Sequence, residues 1–146
     1  MTTCPSARVL RLGRRGFCLA SLVAASTFLA PAAWAGSYLD RAALLVAQAS
    51  READYLRVRL TDLELARTIH KLAAARLKAA STMQVPREVA QAHPHLLLML
   101  ENYERAADAA REGKQERFFE YLTHARDEEG ILRGVLKQLG WPLPKL

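Results

Sequence analysis

Cysteine is scarce in this 146-residue chain, and both copies, Cys4 and Cys18, stand within the first 35 residues. From residue 36 onward there is no disulfide, no thiolate metal ligand, no cysteine nucleophile and no C-x-x-C-H attachment site for a c-type haem. Glycine (7) and proline (6) are too few for a collagenous or low-complexity chain. No segment alternates apolar and polar residues as a half-buried strand does, and no internal repeat stands out. The short motifs of phosphate-binding loops, dinucleotide-binding turns, zinc proteases and serine hydrolases are all missing. What is present is alanine, leucine, arginine and glutamate, 51% hydrophobic and 25% charged residues, in a length that suits one domain. These are the residues of a helical protein.

Charge divides the chain in two. Residues 1–35 carry Arg8, Arg11, Arg14 and Arg15 and no acid, followed by an uncharged run from Gly16 that ends in Ala33-Trp34-Ala35. A basic start, an apolar middle and an A-x-A end form an export signal, cut after Ala35 by signal peptidase. The apolar part falls short of the ~20 residues that span a bilayer, so no stable membrane span is expected after cleavage. The remaining residues, 36–146, hold 17 lysines and arginines against 15 acids, a surplus of two, which is no nucleic-acid footprint.

The segment Gly13-Arg14-Arg15-Gly16-Phe17-Cys18-Leu19 resembles a twin-arginine (Tat) signal, with Arg14, Arg15 and Phe17 as its marks. That resemblance implies export in the folded state by the twin-arginine machinery, to the periplasm or outside a bacterial cell. A general secretory signal with a chance arginine pair is the alternative. The expected domains are a cleaved signal over 1–35 and a single helical-bundle domain over 36–146.

Four segments repeat apolar residues at helical spacing. The first spans about 37–60 and buries Tyr38, Ala42, Leu45, Ala49, Ala53, Leu56 and Leu60, with Ser37 as its N-cap and Asp40 three places on. Thr61-Asp62-Leu63-Glu64 has the form of a capping box and starts a second helix with Ala66, Ile69, Ala73, Leu77 and Ala80 inward. No Gly or Pro enforces a break between the two, so they form either two helices or one rod. Pro86 and then His93-Pro94 punctuate the chain, His93 capping and Pro94 opening a third helix. That helix runs to Glu112 with Leu96, Met99, Leu100, Tyr103, Ala106, Ala107 and Ala110 inward and Gly113 at its C-terminal cap. The fourth, about 115–139, buries Phe118, Tyr121, Leu122, Ala125, Leu132, Val135, Leu136 and Leu139 before Gly140, Pro142 and Pro144. Short connections make neighbours antiparallel. The expected fold is all-α, an antiparallel up-down bundle of four helices (three if the first two are continuous), with Trp141 folded over one end.

Candidate chemistry rests on four histidines and on acids set in apolar stripes. Glu52 lies among Leu45, Ala49 and Leu56, and Glu128 and Glu129 straddle the stripe of the fourth helix. A carboxylate there must be paired, protonated or metal-bound. One reading gathers Glu52, His70, His124 and Glu128 around a transition metal (Fe, Zn or Cu) in the bundle core, as ferritin-like bundles do. The other pairs Glu52, Glu128 and Glu129 with Arg and His of neighbouring helices and leaves Glu120 and His124 as a surface pair. His93-Pro94-His95 reads either as a ligand pair or as a turn. Separately, Arg67, Lys78 and Arg87-Glu88 resemble the basic-and-acidic series of the chorismate mutase family. That resemblance implies a metal-free helical enzyme.

Two further features point outward. Phe119 stands off the centre of its helix's stripe, and with Leu97 and Leu98 it forms a candidate apolar patch for a protein partner or a second copy. The main functional expectation is a non-enzymatic binding or assembly module. A metal-binding bundle and a mutase are the alternatives.

Overall fold

The structure is a computed structural model that describes the backbone of residues 30–144 and the side chains of residues 35–144. The described residues contain four α-helices and no strand, and Pro31–Leu146 make up one compact unit. Arg14, Arg15 and Phe17 lie outside the described residues.

The first helix, α1 (Ala30–Arg57), begins seven residues before Ser37. Ser37 is therefore inside it and not its cap. The alanine-rich stretch from Ala30 favours helix, and Pro31 falls in the first turn, where its missing N–H costs nothing. The chain turns after Arg57, Leu56 O accepting from Arg59 N at 3.0 Å and Arg59 O from Asp62 N at 2.9 Å. Leu60 is thus outside the helix. Asp62, not Thr61, is the N-cap of α2 (Leu63–Ser81), its carboxylate accepting from Leu65 N at 3.0 Å. That bond satisfies one of the free donors of the helix start, so α1 and α2 are separate without Gly or Pro between them.

Ser81 and Thr82 turn their hydroxyls back onto the carbonyls of Lys78 and Ala79 and close α2. After Pro86 a single 3₁₀ turn (Arg87–Val89) leads to α3 (His93–Arg111). The cap of α3 is Ala92, so His93 is its first residue and not the cap, and Pro94 lies in the first turn as expected. Gly113 at φ 74° and Gly140 at φ 80° take the left-handed conformation that ends α3 and α4 (Gln115–Gln138).

α3 packs against both α2 and α4. The core is built from Val46, Leu56, Leu96, Met99, Leu100, Phe118, Leu132 and Leu136, each under 2% exposed, with alanines between them. Each large side chain stabilises the fold by roughly 1.5–3 kcal/mol on burial. Ala42, Ala49, Ala66, Ala106, Ala107 and Ala125 are buried too and let the helices approach closely. The α1 stripe is wider than expected, since Leu39, Ala43 and Val46 are buried whereas Leu45 is half-buried. Leu77, Tyr121, Val135 and Leu139 are likewise half-buried. Trp141 packs against the core, held by a bond from its N–H to Leu136 O at 2.9 Å.

Candidate functional site

Glu52 of α1 reaches Arg76 of α2 at 2.6 Å, and Arg76 is the one buried charged residue among those described. The stripe of α2 runs Ile69, Ala73, Arg76, Ala80 at helical spacing, so the cation sits where Leu77 was expected. This is why a carboxylate is tolerated among Ala49, Ala53 and Leu56: it is paired, and only its second oxygen lacks a partner. Both residues line a cavity of about 10 Å³ together with Ala53, Ala73, Tyr103 and Phe118. That space is no larger than a single water requires, so it accepts no organic substrate. Tyr103 is also buried, and burial raises its phenol pKa, with Glu129 adding to the rise. Ser50 and Arg126 act in the opposite sense, although Ser50 does not reach the hydroxyl at hydrogen-bond geometry.

Three of the four histidines join α3 to another helix. His70 Nε2 of α2 is 2.8 Å from Glu104 Oε1 and 3.7 Å from Asp108 Oδ1. His95 Nδ1 is 2.9 Å from Glu128 Oε2 of α4. His93 Nδ1 is 3.1 Å from the Tyr38 hydroxyl of α1, the rings meeting edge to face with centroids 5.9 Å apart. Burial lowers the His93 pKa and pushes the Tyr38 phenol up to about 12.

The four residues of the candidate metal set are therefore apart. Glu52 is with Arg76, His70 with Glu104, Glu128 with His95, and His124 is exposed on α4. Among the described residues no three His, Cys, Asp or Glu side chains gather in a way that would hold a metal ion. His93 and His95 likewise face different helices. The interhelical pairing expected for Glu52 and Glu128 is present, whereas Glu129 bonds Arg133 on its own helix at 2.9 Å. The series resembling the mutases stays on the surface. Arg67, Lys78, Arg87 and Glu88 are all exposed, and Arg67 pairs with Glu64 on its own helix.

On the outside, Phe119 is 46% and Leu98 44% exposed, while Leu97 is half-buried and packs against the core. Leu97 is thus turned partly toward the core, and Leu98 is the more outward of the two. His95 pairs with Glu128, which puts Leu98 near the level of residue 125 on α4, about 9 Å along the axis from Phe119. Phe119 instead shares a face with its own helix. At 100° per residue, Glu116, Phe119, Thr123, Gly130, Gly134 and Lys137 fall within a sector of roughly 60°, and all six are exposed. A Cβ placed on Gly130 or Gly134 would meet nothing within 4 Å. Phe118, buried, holds the Phe119 ring edge-on at a centroid distance of 5.2 Å. The signal that could have found this face is the pair of glycines four apart within a helix, each about 1 kcal/mol worse than alanine there.

Around the apolar outer side chains the surface is mixed in charge, with exposed pairs such as Arg126–Asp54 at 2.8 Å between α4 and α1. No helix among the described residues is long and apolar enough to cross a membrane. Comparison with known proteins gives no match to a family model, to a curated protein or to a solved structure.

Proposed function

We propose that this chain is an exported helical-bundle module that works by protein contact, docking a second copy of itself through the outer face of α4. The observation that carries the reading is Phe119, a large aromatic left 46% exposed on a helix whose inner face is fully used. An exposed aromatic is a usual anchor of a protein contact, and the two glycines further along the same face let a second helix approach closely. Charge supports a second copy as the occupant. In an antiparallel pairing that sets Phe119 against Gly134 of the other copy, Thr123 falls opposite Gly130 and Glu116 opposite Lys137 on both sides of the two-fold axis.

Export is part of the same proposal and rests on residues 1–35. Cleavage after Ala35 would start α1 at Gly36, where Ser37 and Asp40 supply the polar groups of a helix N-terminus. The test combines fractionation with crosslinking. The chain expressed with its own signal is expected in the periplasm beginning at Gly36, and Arg14→Lys with Arg15→Lys is expected to retain it inside. Crosslinking is expected to trap a dimer that Phe119→Asp removes. A cytoplasmic, uncleaved chain would refute the export half, and a dimer indifferent to Phe119→Asp the contact half.

A further inference from the structure

The three histidine contacts differ in what they offer a protonated ring. His70 and His95 each face a carboxylate, Glu104 and Glu128, and an imidazolium there gains a charge-assisted hydrogen bond. His93 faces a phenol. Among the described residues no carboxylate stands within ion-pair distance of its ring: α1 contributes Tyr38, and the groove beside Tyr38 is lined by Ser37 and, one turn on, Arg41, itself a cation. The connection after α2 contributes Met83 and Gln84 to the groove of about 210 Å³ on the Tyr38 side, neither of them charged. On α3 the next polar neighbour, His95, is already engaged with Glu128. Burial is the sole cause that lowers the His93 pKa, with no carboxylate acting against it.

We propose that acidification selectively loosens α1 from α3 at the Tyr38–His93 contact, while the contacts of α3 to α2 and α4 hold. Protonation puts a positive charge into a part-buried site with no acid within reach, and Nδ1 can then only donate to the phenol oxygen, a neutral acceptor that offers an imidazolium far less than a carboxylate does. The phenol itself stays protonated throughout, its pKa being pushed to about 12. The sign follows from linkage. A histidine whose folded pKa is depressed contributes stability that is complete above its ordinary value near 6.5. That contribution is lost as pH falls through the folded value, because the unfolded chain takes the proton first. The element released is the beginning of α1, so an exported protein would report the acidity of its surroundings as freedom of its N-terminal helix.

Amide hydrogen exchange on the full chain at pH 7.5 and 5.0, expressed as protection factors, tests this. Protection over 38–46 is expected to fall severalfold at pH 5.0 while 96–110 and 118–136 change by less than half as much. His93→Asn keeps a polar, non-titrating side chain and is expected to abolish the difference. Tyr38→Phe, which keeps the ring and its burial, is expected to weaken protection at pH 7.5 and to keep the pH response, because His93 still titrates in a part-buried site. Uniform loss of protection in all helices at pH 5.0, or an unchanged local response in His93→Asn, would overturn the proposal.

Discussion

α3 and α4 are neighbours in one hairpin, yet their surroundings are unlike. α3 buries eight residues and has a polar contact to each of the other three helices, through His93, His95 and Glu104. α4 buries five, along one stripe, and turns Phe119, Gly130 and Gly134 to solvent. Both are amphipathic helices joined by three residues. The difference teaches that position in the bundle, not helix propensity, decides which helix acts as the scaffold and which is free to be shared. α3 is enclosed by partners on the same chain. α4 has an inner face for the fold and an outer one left exposed, the face proposed for assembly.

That contrast can be broken most severely from the inside of α4. Phe118→Ala removes a fully buried ring and is expected to cost about 3–5 kcal/mol in denaturant unfolding. Phe119→Ala, one residue on, is expected to change unfolding by less than about 0.5 kcal/mol. Equal losses would mean that the two faces of α4 are not distinct.

The next effect lies in the interior contacts of α1 and α2. Glu52→Ala strands the Arg76 guanidinium, 7% exposed, and is expected to cost about 2 kcal/mol. Adding Arg76→Met is expected to recover part of that loss, since it is the unpaired cation that destabilises. A double variant less stable than Glu52→Ala would show that the arginine contributes chiefly by its packing.

The smallest expected effect has the opposite sign. Gly134→Ala should stabilise the monomeric fold by about 1 kcal/mol, because a helix-interior glycine is replaced where a Cβ meets nothing. The same substitution should weaken self-association, because the second copy could no longer approach as closely. Thermal unfolding at low concentration and crosslinking at high concentration separate the two. A glycine that costs stability and does nothing for assembly would remove the reason for its place on this face.

Much of the fold was legible in the chain. Periodicity placed three of the four helix starts within two residues, and Gly113 and Gly140 marked the ends of α3 and α4 because only a left-handed residue fits there. The start of α1 was not legible, because the A-x-A pattern and Ser37 suggested a boundary while the alanines before them continue the helix. The second cap was placed one residue early. Thr61 and Asp62 both have capping side chains, and the turn made by Arg59 and Asp62 selects the latter. Site residues were harder. Glu52 stood out as an acid in an apolar stripe, but Arg76 did not, since arginine is common and only helix packing pairs it with Glu52. The same applies to Tyr38 and His93, 55 residues apart. Leu97 and Leu98 are adjacent in sequence, and only the rotation of α3 in the bundle leaves one half-buried against the core and the other exposed.

Sedimentation velocity over a hundredfold range of concentration, comparing the native chain with Phe119→Asp and Gly130→Leu, tests the proposed sharing of α4 most directly. The native chain should shift from monomer toward dimer, and both variants should remain monomeric with unchanged helical content. A native chain that is monomeric throughout, or variants that dimerise as well as it does, would contradict the assignment of α4 as the shared face.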